Sequence, residues 1–302
     1  MKENKFTKRK KHSMSDKMFN TILLIILTVI LILVLYPIIY VLSSSFSSGS
    51  AVVAGDVILW PVKFSIEGYK LVFANTEIWR GYLNSIMYAG LGTLVHLIMT
   101  ICMAYPLSRR GYTARGFFST ILTLSMMFGG GLIPTYILIS NLGLMNTRTY
   151  MIIVGAVSVG HIVIMRTFFQ SNIPEELLES AKMDGISDIG YLLKIVLPLS
   201  KASISVISLY GVVSKWNAYT TPMIYLRDKV KWPLQLVARQ ILEGTKIDLS
   251  SFTDAALAAQ VANNADTMRY ALIVVSILPM MILYPFVQKF FEKGVMIGSI
   301  KG

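Results

Sequence analysis

Long apolar runs alternate with short polar stretches along this chain. A membrane-crossing helix needs about 20 largely apolar residues. Six segments meet that requirement, at roughly 19–42, 83–107, 117–138, 150–169, 198–224 and 270–291. The first, from Phe19 to Leu42, is longer than a signal-peptide core, and no small-residue cleavage site follows it. The pattern therefore predicts a retained first span and an all-α, polytopic membrane protein with six transmembrane helices. Two long connectors, about 43–82 and 225–269, and a short one near 139–149 join the spans on one side. Trp60-Pro61 and the apolar-aromatic positions Tyr69, Leu71, Val72 and Phe73 predict ordered structure in the first connector. In the second, Pro233 precedes Leu234, Leu236, Val237, Ile241 and Leu242, a pattern for a short amphipathic helix beginning at a proline.

Composition agrees with the pattern. The 302 residues are 54% hydrophobic and only 15% charged, with mean hydropathy +0.62. A soluble domain of this size carries more charge. The net charge of +12 could point to nucleic acid, but the basic residues sit mainly at span ends. Lys2, Lys5, Lys8, Arg9, Lys10, Lys11 and Lys17 precede the first span. Arg109, Arg110 and Arg115 follow the second, and Lys289, Lys293 and Lys301 lie at or beyond the end of the last. With six spans all three groups share one side, which the positive-inside rule makes the cytoplasm, so both termini are expected there. Cys102 is the single cysteine, which excludes an intramolecular disulfide and a cysteine-based metal cluster.

Between the fourth and fifth spans lies a polar segment with strong local signals. Asn172 can cap a helix, Pro174 suits a first turn, and Glu175 and Glu176 favour the positive end of that helix dipole. Leu177, Leu178 and Ala181 give it an apolar face. Gly185 can take the left-handed conformation that ends a helix. Ser187 can cap a second helix through Ile189, Leu192 and Leu193, and Pro198 lies near the start of the next span. The expectation is a cytoplasmic hairpin of two short helices about a glycine turn.

This hairpin resembles the EAA loop of ABC-importer permeases. That pattern is Glu-Ala-Ala, a Gly three residues on, and nine further residues before Ile-x-Leu-Pro. Glu179-Ser180-Ala181 stands for the first part, Asp184-Gly185 for the second, and Ile195-Val196-Leu197-Pro198 follows residues 186–194. Ser180 in place of the first Ala is the one departure, and serine is still small. Leu83-Asn84-Ser85, Trp216-Asn217-Ala218-Tyr219 and the tail Gly294 to Gly302 are similar to the smaller permease of maltose-type importers. Gly129 to Tyr136, with Asn141-Leu142-Gly143-Leu144, resembles a Gram-positive branch handling complex oligosaccharides. The resemblance covers nearly all of residues 19–302.

The resemblance implies a permease subunit in the cytoplasmic membrane. Its parts would be a basic cytoplasmic tail (1–18), a first span with an extracellular connector (19–78), a permease core (79–291) and a cytoplasmic tail (292–302). Glu179, Ser180, Ala181, Asp184 and Gly185 would couple the spans to a separate ATPase. The implied partners are a second homologous permease in a heterodimer, two ATPase subunits using ATP and Mg, and an extracellular solute-binding protein. Connector 225–269 would touch the binding protein, and tail 292–302 would reach the ATPase interface.

Other chemistry finds little support. The predicted spans hold no Asp or Glu, the usual carriers of protons or sodium in ion-coupled transporters. No Gly-x-x-x-x-Gly-Lys-Ser/Thr motif is present, so the chain is not expected to bind ATP or act as an enzyme. The glycines 129–131 precede Leu-Ile-Pro and read as a break near the outer end of the third span. His96 and His161 sit singly in apolar stretches and read as packed or interhelical histidines, so no metal site is expected. No catalytic set is found. Candidate substrate-path residues are Asn84, Ser85, Lys215, Trp216, Asn217, Tyr219 and Tyr225, since sugars are held by aromatic faces and hydrogen-bonding groups. The alternative for the aromatics is the interfacial belt. Lys215 lies 17 residues after Pro198, roughly 25 Å along a helix. It reads either as the partner of an anionic saccharide such as a uronic-acid oligomer, or as a snorkelling lysine. A permease for a non-sugar solute and a carrier working without an ATPase remain the competing readings.

Overall fold

A computed structural model describes residues 14–244 and 265–285. Its named elements are all helical, and an isolated antiparallel bridge pairs Ser47 with Phe64. The chain forms two compact units, one from residues 1–70 and 248–274, the other from 71–247 and 275–302.

The first unit is built on α1 (Met14–Ser45). Its most apolar window has a mean hydropathy of 3.3 and none of it is buried. A helix apolar around its whole circumference and covered by nothing has lipid as its solvent. A serine run at its end turns the chain. Ser43 Oγ donates to Leu59 O at 2.6 Å, Val62 N to Ser47 Oγ at 3.0 Å, and Ser45 Oγ lies 2.8 Å from Tyr69 Oη. These bonds fold back the connector that carries α2 (Gly49–Val53), whose N-cap is Ser48. Phe46 stacks on Phe64 at 5.8 Å. Ala51, Val52 and Val57 are buried with Tyr40 and Tyr270 packed against them. The first connector is thus ordered, as its aromatic pattern predicts.

The second unit is organised around α4 (Thr76–Ser108), which follows α3 (Glu67–Ala74). Asn75 starts α4 by accepting from Glu77 N at 2.8 Å. Around α4 pack α7 (Arg148–Ile153), α8 (Val159–Asn172), α12 (Lys201–Trp216) and α14 (Leu234–Gly244). Ala104, Leu107, Ile162, Met165, Tyr191 and Ile207 form the centre of the largest buried cluster.

The expected continuous spans are modified in three places. Among the described residues, three helices are long and apolar enough to cross a membrane: α1, α4 and α15 (Ala265–Pro285). The expected third span is split into α5 (Arg115–Met127) and α6 (Leu132–Asn141), bent by 115° where residues 128–131 interrupt the helix. The sequence places a break at these glycines. The expected fourth span is interrupted between α7 and α8, at Val154–Ser158. The expected fifth span is one arm of a pair bent by 82° at Ser200. Apolar windows register length and polarity, but not bends.

Candidate functional site

The hairpin begins one step later than its sequence suggests. Asn172 closes α8 and its Nδ2 donates back to Phe168 O at 3.2 Å, so it is not an N-cap. Ile173 is extended before Pro174 (φ −118°, ψ 101°), as the proline ring requires. The next helix, α9 (Glu176–Met183), starts from Glu175 without a side-chain cap bond. Its other end follows the expectation. Gly185 N donates to Lys182 O at 3.1 Å and Ile186 N to Ala181 O at 2.9 Å, with Gly185 at φ 73°. This is a Schellman turn, and its left-handed residue favours glycine. Ser187 then caps α10 (Asp188–Tyr191) by accepting from Gly190 N at 3.1 Å.

Pro198 shapes the return into the membrane helices. It has no N–H to give to the carbonyl of Lys194, and a π-helical turn spans Leu192–Val196 directly before it. The short α11 (Leu197–Leu199) follows, and then the bend. Ala181 and Tyr191 anchor the hairpin in the core, while Glu179, Ser180, Asp184 and Gly185 are exposed. Met183 is 90% exposed and Ile189 71%. Two apolar side chains are thus held in the open beside the glycine turn, a feature that the sequence did not single out.

Arg109 ties this hairpin to α4. Its guanidinium lies 4.7 Å from the ring centroid of Tyr105 and 4.9 Å from that of Tyr191. Nε and Nη2 are buried without a hydrogen-bond partner, so the two rings are its main company. Arg110 adds an exposed ion pair to Glu175 at 3.3 Å. The Tyr105–Arg109 spacing of four residues is a sequence signal for this contact; the approach of Tyr191 is not.

The N-terminal part of α4 holds the second connector. Asn84 Nδ2 donates to Val230 O and Trp232 O, each at 2.9 Å. Leu234 N donates to Ser85 Oγ at 2.8 Å, and Tyr88 Oη to Lys231 O at 2.8 Å. The amphipathic helix predicted after Pro233 is α14, with Leu234, Leu236 and Val237 buried. On its exposed side Arg239 Nε donates to Glu243 Oε1 at 2.8 Å, a bond that holds the guanidinium above its ordinary pKa, and the same group lies over the Tyr219 ring at 4.8 Å.

The path candidates are therefore dispersed. Asn84 and Ser85 are buried and paired with backbone groups. Trp216 is only 2% exposed. Its Nε1 donates to Ser276 O at 3.1 Å and its ring meets Tyr82 at 5.9 Å. Tyr225, at the end of α13 (Thr220–Tyr225), is buried against Tyr150 and Tyr136, at 4.7 and 5.9 Å. In this conformation these four side chains are buried in contacts within the chain. Asn217, the C-cap of α12, and Tyr219 are exposed.

Lys215 has a different setting. Its Nζ donates to Met151 O at 2.9 Å, Ile152 O at 3.0 Å and Val154 O at 2.5 Å, so it caps the C-terminal end of α7. The next two carbonyls of the break, Gly155 O and Ala156 O, lie 3.2 and 3.0 Å from His96 Nδ1. His96 Nε2 in turn lies 2.8 Å from His161 Nδ1. The two histidines, 65 residues apart and read singly in the sequence, are a bonded pair. Lys215 and both histidines border a cavity of about 320 Å³ midway along α4. Among the described residues, no cluster of three or more His, Cys, Asp or Glu could hold a metal ion.

The chain is similar to known proteins. Residues 96–297 match the family model described as binding-protein-dependent transport system inner membrane component. The chain is 36% identical over 292 residues to the polygalacturonan/rhamnogalacturonan transport system permease protein YtcP of Bacillus subtilis (strain 168), covering 96% of this chain and all of the relative. It is 37% identical over 273 residues to Protein LplC of the same organism, covering 87% of this chain and 88% of that one. A crystal structure of a bacterial ABC transporter involved in the import of the acidic polysaccharide alginate superposes with a TM-score of 0.84. That match has 34% identity and covers 93% of this chain and 99% of the other.

Proposed function

The chain belongs to the family of binding-protein-dependent transport system inner membrane components, and we propose that it is a permease subunit of an ATP-driven importer of an acidic oligosaccharide. It spans the cell membrane of a Gram-positive bacterium six times with both termini in the cytoplasm. Its partners are a homologous second permease, two ATPase subunits that bind ATP and Mg, and an extracellular sugar-binding protein. The sugar assignment is supported by the polygalacturonan/rhamnogalacturonan and alginate systems to which the chain is similar.

The observation that carries the reading is the hairpin. Its Schellman turn at Gly185 presents Glu179, Ser180 and Asp184 to solvent beside exposed Met183 and Ile189, while Ala181 and Tyr191 root it in the helical core. A partner that closes on this face moves α9 and α10, and through Tyr191 and Arg109 moves α4. Glu179, Ser180, Ala181, Asp184 and Gly185 are the coupling residues. Asn84 and Ser85 act by docking α14, which we assign to the side facing the binding protein.

Purification of the tagged chain from its native membrane in mild detergent, with mass spectrometry of what accompanies it, tests the proposal. Recovery of a sister permease and an ATPase, the ATPase being lost with Gly185→Val, is the expected result. Sugar uptake by the purified chain without any ATPase would overturn it.

A further inference from the structure

At the α7–α8 break, midway along α4, several polar side chains converge. Interrupted helices inside a membrane protein are tolerated where their freed carbonyls find partners or line a cavity, and such breaks recur at solute sites. Here five carbonyls, two in the last turn of α7 and three in the break, are engaged by Lys215 and His96. The cavity beside them, about 320 Å³, falls within the range of about 300–1,000 Å³ common for small-molecule sites.

Two features of the lining specify an occupant. Carbonyl dipoles take all three N–H groups of Lys215 but carry no net charge. Among the described residues no carboxylate pairs with this ammonium, and none lines the cavity. A positive charge thus faces a cavity whose described lining carries no carboxylate. The second feature is the histidine pair. His96 Nδ1 faces only acceptors, so it carries hydrogen, and neutral His96 must accept at Nε2 from His161 Nδ1–H. His161 Nε2 is left without a protein partner among the described residues. When a carboxylate lies against Nε2, a proton taken up there from water lets His161 donate on both sides with no change at His96. Tyr210 stacks on the His161 ring at 5.4 Å and also borders the cavity, as does Ser214 one turn along α12.

We propose that this cavity is the subsite for a carboxylate-bearing sugar unit, a hexuronate, of the translocated oligosaccharide. His161 Nε2 donates to the carboxylate, Lys215 supplies the countercharge, and the face of Tyr210 takes the sugar ring. This inference rests on the chain being an oligosaccharide permease.

The test is equilibrium binding of an oligouronide and of its carboxyl-reduced, neutral counterpart to the assembled permease–ATPase complex in nanodiscs, without the binding protein. Wild type should bind the oligouronide more tightly. His161→Phe, which keeps a ring to stack on Tyr210, should weaken oligouronide binding about tenfold, the loss of one charge-assisted hydrogen bond, and weaken binding of the neutral sugar much less. His161→Gln, which retains an N–H donor, should recover part of the loss. Equal binding of both sugars by wild type, or unchanged binding by an assembled His161→Phe complex, would overturn the inference and leave the permease reading standing. So would wild type binding neither sugar while the intact importer still takes up oligouronide. Absence of any saccharide uptake by the intact importer would overturn both.

Discussion

Lys215 crosses α4 directly above Gly92. A Cβ on Gly92 would lie 2.8 Å from Lys215 Cε and 3.2 Å from Ile152 O. The lysine has no room to yield, because its ammonium is pinned by three carbonyls. Gly92→Ala should therefore destabilise the α4–α7–α12 junction. Lys215→Met should do so more strongly, since each buried carbonyl left bare costs about 1–3 kcal/mol. Thermal unfolding of the detergent-solubilised complex measures both, and the expected order of stability is wild type, Gly92→Ala, Lys215→Met.

Asn84 should matter more than its neighbour Ser85. One Asn84 side chain satisfies two connector carbonyls, whereas Ser85 satisfies one N–H. Asn84→Leu should cost about 2 kcal/mol or more and Ser85→Ala about 1. Amide hydrogen exchange across 226–244 reads the effect: exchange should accelerate in both variants, further in Asn84→Leu, with 176–199 unchanged.

Local chemistry made much of the hairpin and connector legible. Gly185, Ser187 and Pro198 act within a few residues of themselves, so their turn, cap and helix-entry roles could be read in order along the chain. Pro233 with its apolar spacing gave α14 for the same reason. Asn172 misled because a preceding apolar helix could run on through it until Pro174 stopped the chain. The cavity was not legible, because Lys215 and His96 reach the break from helices about 60 residues away on either side. The glycines 129–131 marked the site of the 115° bend, whereas the apolar run gave no sign of the 82° bend at Ser200. The burial of Asn84, Ser85, Trp216 and Tyr225 was not legible either, since a polar or aromatic group near a span end looks the same in sequence whether buried or open. The expected contacts of tail 292–302 and the basic residues 1–13 lie outside the described residues.

Met183 separates docking from folding. It touches little of its own chain, being 90% exposed at the tip of α9. Met183→Asp should leave thermal stability within about 0.5 kcal/mol of wild type. It should reduce the ATPase recovered with the tagged permease, as a charge placed in an apolar contact does. Quantitative mass spectrometry of the purified complex gives the ratio. An unchanged ratio would remove Met183 from the docking face.

The Tyr105–Arg109–Tyr191 stack should transmit the movement of the hairpin to α4. The guanidinium is planar and meets both rings, so Arg109→Lys keeps the charge but loses the sandwich. Arg109→Ala removes both, leaving the hairpin held by Ala181 and Tyr191 packing and by the Arg110–Glu175 pair. Exposed ion pairs of that kind contribute about 0–1 kcal/mol and cannot replace the stack. Both variants should still bind the ATPase, because the docking face is untouched. The expected defect is in coupling: sugar transported per ATP hydrolysed falls in proteoliposomes, more for Arg109→Ala than for Arg109→Lys, while hydrolysis continues. A proportional loss of transport and hydrolysis would instead mean that Arg109 supports assembly, and the transmitting role would be withdrawn.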